Sequence, residues 1–199
     1  MMATKHEITR TDIMALSDYT KVRAERRKSI AETKRNRRVR VGPYASFYFE
    51  NFETMLHQVH EMLAIEKGGD DQLQDELAAY NPLVPKGREL VATVMFEIPD
   101  ADERKTVLAK LGGVEETFVL DVAGDKIKGA PEEDVDRTNA AGKASSVQFV
   151  HFPFTAEQIK RFKAPGTRVA IAIEHPAYSH RTEMPEAVRN ALAGDFASG

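Results

Sequence analysis

Apolar residues recur along this chain with two alternating periods, and the switches between them mark its elements. The sharpest switch falls within residues 45–66. Ala45-Ser46-Phe47-Tyr48-Phe49 has the aromatic composition of a strand, and directly after Glu50-Asn51 the apolar positions become Phe52, Met55, Leu56, Val59, Met62 and Leu63, a single helical stripe. A strand-to-helix junction gathers polar side chains from the sheet end and the first helical turns. Glu50 and Asn51, with Glu53, His57 and Glu61 on the polar side of the helix, are therefore the first candidates for a site.

The remaining pattern extends this reading in both directions. Upstream, Thr9 to Asp12 reads as the cap of a short helix leading into Ile13, Met14 and Leu16. A longer helix over residues 17–37 carries only Val22, Ala24, Ile30 and Ala31 as apolar positions, so a narrow side packs and most of its surface faces water or a partner. Residues 38–41 form a strand that turns at Gly42-Pro43. Gly68-Gly69 ends the helix after the junction, and Asp70-Asp71 opens another that buries Leu73, Leu77 and Ala78 and closes at Tyr80-Asn81-Pro82. Strands follow over 89–98, 117–122, 126–128, 146–154 and 168–174, with helices over 101–111, 155–164 and 185–193. Residues 129–145 read as a loop with a helical turn at 131–136, and the small Ala170 and Ala172 predict a helix lying close over one side of the last strand. The pattern predicts a single α+β domain over residues 1–199: a mainly antiparallel five- or six-stranded sheet with packed helices over 39–199, preceded by a basic helical segment over 1–38.

Composition narrows the classes. With 42% hydrophobic and 30% charged residues the chain is not wholly disordered, and it has no apolar run of the roughly twenty residues a membrane helix needs. The absence of cysteine removes thiol nucleophiles and thiolate-held zinc or iron–sulfur groups, and with a polar N-terminus it makes the cytoplasm the expected location. The net charge of -3 hides an asymmetry. Residues 21–40 hold ten basic side chains against Glu25 and Glu32, a segment of +8 against -11 elsewhere. A solvated helix is the plain explanation. The sharper one is a docking surface, with Arg26, Arg27, Lys34, Arg35, Arg37 and Arg38 meeting an acidic protein; nucleic acid is the least favoured partner because no base-reading motif accompanies the charge.

Two histidine groupings carry candidate chemistry. His57 and His60 share a helical face and could chelate a divalent ion, yet the spacing is not that of the HExxH enzymes, and His60 could equally flank the core beside Leu56 and Leu63. His175 precedes Pro176 at a strand end, where it could act as a ligand or general base with Tyr178 as its partner, or as a structural histidine donating to a backbone carbonyl. Glu97 lies within an apolar strand and Glu50 ends another. If the two share one space they could hold iron, manganese or zinc or support acid–base chemistry, although an arginine from the basic segment would satisfy them as well. The enzymatic alternative to docking is thus a pocket of Glu50, Glu61, Glu97 and His175, with Glu61 and His175 as metal ligands. No GxGxxG or GxSxG motif is present, and Gly142-Lys143-Ala144-Ser145 lacks the residues of a phosphate loop.

The segments Phe49-Glu50-Asn51, Gln58 to Leu63, Ala79-Tyr80-Asn81-Pro82-Leu83, Ala92 to Asp100 and His175-Pro176-Ala177-Tyr178, with the basic cluster Lys34 to Arg38, resemble a bacterial family of unknown function, domain family three-five-zero-one, nearly end to end. The resemblance implies no activity. It implies a setting, because genes of that family often lie beside rubrerythrin-like and heterodisulfide-reductase-like iron–sulfur proteins, so the expected partner is an acidic redox protein of one of those kinds, with a homo-oligomer also allowed. It also singles out Glu50, Asn51, Gln58, Glu61, Asn81, Glu97, His175 and Tyr178 as the candidate pocket, whereas His57 and His60 depart from the family pattern.

Overall fold

The computed structural model describes residues 5–132, 138–140 and 142–197. Strands β1 (Arg38–Val41) and β2 (Ala45–Glu50) form a hairpin turning at Gly42. A glycine is required there, because its φ is 69° and an added Cβ would lie 2.6 Å from the His180 ring. Helices α1 (Leu16–Arg35), α2 (Phe52–Glu66) and α3 (Gly69–Tyr80) flank this hairpin in the chain. Strand β3 (Glu89–Phe96) pairs with β2, and helix α4 (Ala101–Leu108) leads to β4 (Phe118–Val122). After β4 come β5 (Asp125–Lys128), the two-residue β6 (Ala130–Pro131) and β7 (Val147–Pro153). Helix α5 (Ala156–Lys163), strands β8 (Val169–His175) and β9 (Tyr178–Glu183), and helix α6 (Glu186–Leu192) complete the chain.

The fold is α+β and every described strand pairing is antiparallel, with the strands divided between two sheets of order β1-β2-β3-β7-β6 and β5-β4-β8-β9. Alternating side chains of both sheets meet in one core, in which Phe47 of the first sits edge-on to Phe118 of the second at 5.4 Å. On the opposite face of the first sheet, α2 and α3 bury Met55, Val59 and Leu73 against Val91, together with Ile8 of the N-terminal segment. Helix α1 lies outside them on α2 and buries only Tyr19 fully. No helix among the described residues is long and apolar enough to cross a membrane.

Two local expectations are corrected, at Thr9 and over Ala170 and Ala172. Thr9 caps a single 3-10 turn, Arg10–Asp12, and α1 starts independently at Leu16. Strand β8 ends at His175 as expected, and Pro176 lies in a tight turn into β9, an edge strand of largely exposed polar residues that the pattern did not announce. Among the described residues it is the Arg181 side chain, and not a helix, that lies over the small Ala170 and Ala172, reaching across β8 from β9 to Asp121 of β4 at 2.9 Å. The helical turn expected at 131–136 lies largely outside the described residues; its first residue, Pro131, is in β6.

Candidate functional site

Helix α1 is built from good helix formers without glycine or proline, yet it offers almost no apolar face, so polar contacts fix its position. Those contacts converge on Glu61. Arg23 grips its carboxylate with Nε and Nη2, each at 2.9 Å, and the Tyr19 hydroxyl donates to Oε1 at 2.7 Å. The guanidinium is the main reason the Glu61 carboxyl is held down at about 2. Burial, reinforced by that carboxylate, pushes the Tyr19 phenol well above its ordinary range.

The two histidines of α2 border this clamp. His60 donates from Nδ1 to the Leu56 carbonyl at 2.9 Å, accepts the Met14 N–H at Nε2 at 2.9 Å, and stacks on Tyr19 with ring centres 4.7 Å apart. Both nitrogens are committed to backbone groups, and burial lowers the pKa of the ring, so His60 is a neutral structural residue. His57 lies with Nδ1 3.4 Å from the Tyr19 hydroxyl. Its pKa is lowered first by burial and further by Lys34, Arg27 and Arg23, against the opposing pull of Glu61. Clefts open on either side of Tyr19 and His60. One of about 430 Å³ runs under the N-terminal segment toward the start of α3, and one of about 290 Å³ lies between α1 and α2, edged by Arg26, Glu53 and His57 over Ile30, Phe52 and Leu56.

The basic segment divides into three fates. Arg26, Arg27 and Lys28 are exposed on α1 and, with the half-buried Lys34, form no ion pair among the described residues. Arg35 is exposed but pairs with Glu32 one turn earlier at 3.0 Å, and Arg38 pairs with Glu97 at 2.8 Å while lying over the Tyr48 ring. Arg37 is a correction: it is 4% exposed, donates to the carbonyls of Phe49 and Glu50, and pairs with Asp195, so it faces the interior and meets no partner surface.

The remaining candidate residues are bonded in separate places. Glu50 is buried between the hydroxyls of Thr54 and Thr93, at 2.6 and 2.8 Å, and Asn51 caps α2 by accepting the Thr54 N–H. Glu97 takes bonds from Arg38, Ser46 and Tyr48, which outweigh burial and keep its pKa low. Glu50 pairs across from Val91 whereas Glu97 follows Phe96, so the two occupy opposite ends of the β2–β3 ladder, about 20 Å apart at strand rise. Asn81 holds the N-terminal segment like a strand partner, bonding the Ile8 N–H and carbonyl at 2.7 and 2.9 Å, and Gln58 donates to the Tyr80 hydroxyl at 3.5 Å. His175 faces the Gly112 carbonyl with Nε2 at 3.2 Å and accepts the Ala177 N–H. Tyr178 turns away from it, donating to the Val41 carbonyl and accepting N–H bonds from Tyr44 and Ala45, so it pins the β1–β2 turn. Among the described residues no three His, Asp or Glu side chains gather in a group that could hold a metal ion.

One arrangement escaped the sequence reading. His151 on β7 lies between Glu89, 2.9 Å from Nδ1, and Glu132, 2.5 Å from Nε2. The only signal was a histidine at an outward position of an alternating strand; its partner Glu89 sits diagonally across on β3, and that register is not written in either strand alone.

The family model described as "Protein of unknown function (DUF3501)" matches residues 7–196. The crystal structure of a novel protein of unknown function from Burkholderia pseudomallei K96243 is 35% identical and superimposes with a TM-score of 0.88, covering 95% of this chain and 98% of that one. No curated protein matches the chain.

Proposed function

Because the chain belongs to the DUF3501 family, whose description carries no activity, we propose its function from the geometry of α1: it is an accessory protein that docks an acidic partner on the exposed basic side of that helix. The observation behind this reading is the contrast between a rigidly clamped helix and cations left unpaired upon it. Tyr19 and Arg23 fasten α1 to Glu61, while Arg26, which reaches Met14 Sδ at 3.9 Å, and Arg27 and Lys28 are exposed without an ion pair among the described residues. Pre-ordered charge of one sign steers an oppositely charged surface and fixes its register on arrival. As the partner class we propose an acidic redox protein, rubrerythrin-like or an iron–sulfur oxidoreductase, reached in the cytoplasm.

The test is capture of partners by the full chain at low salt, compared with a variant carrying Arg26→Glu, Arg27→Glu and Lys28→Glu. The wild type should retain an acidic redox protein, release it as salt is raised, and lose it in the variant, whose folding should be unaffected because all three side chains are exposed. Retention of the same partner by the charge-reversed chain would refute the reading, as would recovery of nucleic acid alone.

A further inference from the structure

The larger cleft beside Tyr19 and His60 has a polarity that its residue names conceal. Its volume of about 430 Å³ is at the small end of the ~300–1,000 Å³ typical of ligand sites. Three groups of the cleft that could bond a polar ligand are already committed: the Met14 N–H to His60, the His60 ring to the Met14 and Leu56 backbones, and the Tyr19 hydroxyl to Glu61. Most of what the cleft presents is carbon, from Ile13, Leu63, Leu73 and the ring faces. At the mouth, Leu16 is 41% exposed, one of only three large apolar side chains so exposed among the described residues. An apolar body seated in the cleft would cover it.

Charge is confined to the rim. Arg10 and Asp70 pair with each other at 2.7 Å, which leaves Lys67 as a cation without an acidic partner among the described residues. Lys67 also sits in the left-handed region with φ 56°, where a side chain is disfavoured and glycine would be at ease, although Gly68 and Gly69 follow immediately. A lysine held at a conformational cost on the lip of an apolar cleft has the chemistry of a head-group contact.

We propose that this cleft binds a small amphipathic carboxylate of medium chain length, its apolar body on Leu63 and Leu73 and its carboxylate at Lys67. The site is separate from the basic docking side of α1.

Isothermal titration of the full chain with decanoate, below its micelle concentration, tests this against decanol and decyltrimethylammonium. Decanoate should bind saturably at one site per chain, about tenfold or more tighter than either comparator. Lys67→Gly should remove that preference, leaving decanol binding unchanged and the melting temperature no lower, since glycine relieves the backbone. Leu16→Asp, at an exposed position, should weaken decanoate binding as well. Absence of saturable binding, equal affinity for all three probes, or decanoate affinity unchanged in Lys67→Gly would overturn the proposal. Preference for phosphatidylglycerol vesicles over free decanoate would overturn it in favour of a membrane surface.

Discussion

His151 can serve Glu89 and Glu132 together only as an imidazolium, because a neutral ring has one N–H and would turn a lone pair toward the other carboxylate. Burial opposes the charge, but the two carboxylates outweigh it and raise the pKa above the ordinary 6.5. For Glu89 burial is likewise outweighed, by His151 and by the N–H and charge of Lys86, so its pKa falls below 4.5. The His151 contribution to stability is thus complete below about pH 6.5 and is lost as pH rises through the raised folded value; that of Glu89 is complete above about 4.5 and is lost as pH falls through the lowered one. The difference in stability between wild type and His151→Gln, measured by urea unfolding, should be largest between those limits and shrink on the alkaline side. A difference that stays constant from pH 6 to pH 9 would show that His151 acts by packing alone. The sequence displays all three residues, but their meeting depends on strand register and on where β6 leads the chain, neither of which a single strand encodes.

At the scale of elements, most of the fold was legible because apolar periodicity is the direct imprint of burial. The β1–β2 hairpin, α2, α3, β3 and the capping box of α5 follow from side-chain spacing and turn residues. Strand β9 did not, since Ser179 to Glu183 at a sheet edge need little apolar character and carry the exposed charge that discourages edge pairing. Helix α1 is the opposite case: propensity announces it, but nothing in its sequence says what holds it. Glu61 does so through Tyr19 and Arg23, which makes α1 separately detachable. Glu61→Gln should therefore raise amide exchange across residues 16–35 by about tenfold or more while amides of β2 and β3 keep their protection, and should weaken docking without touching any surface arginine. Equal acceleration in α1 and in the strands would mean that the clamp supports the whole fold instead.

For the molecule as a whole, the division into two sheets could not be read from the chain, because strands lining one shared core alternate in the same way whichever sheet they join. The tie between the start of the first sheet and the C-terminal part of the fold was equally hidden. Arg37, just before β1, is bonded to Asp195 at the C-terminal end and to the carbonyls of Phe49 and Glu50, at the place where the sheet hands over to α2. The two partners differ in how they tolerate separation. Arginine cannot shed its charge, so Asp195→Asn should leave a buried unpaired cation and cost about 3–5 kcal/mol. Asp195 can take up a proton, and burial already raises its pKa, with Arg37 pulling it back. In Arg37→Met that restraint disappears. The folded state then binds more protons than the unfolded one, so stability must rise as pH falls from neutral toward the ordinary carboxylate range near 3.8. Urea midpoints at about pH 7.5 and about pH 5.5 distinguish the two variants: Arg37→Met should recover part of its loss at the lower pH, and Asp195→Asn should not. Identical pH profiles for the two would mean that Asp195 is solvated enough to remain charged without Arg37, and that the three backbone and side-chain bonds of Arg37, not its charge, hold the C-terminus to the sheet.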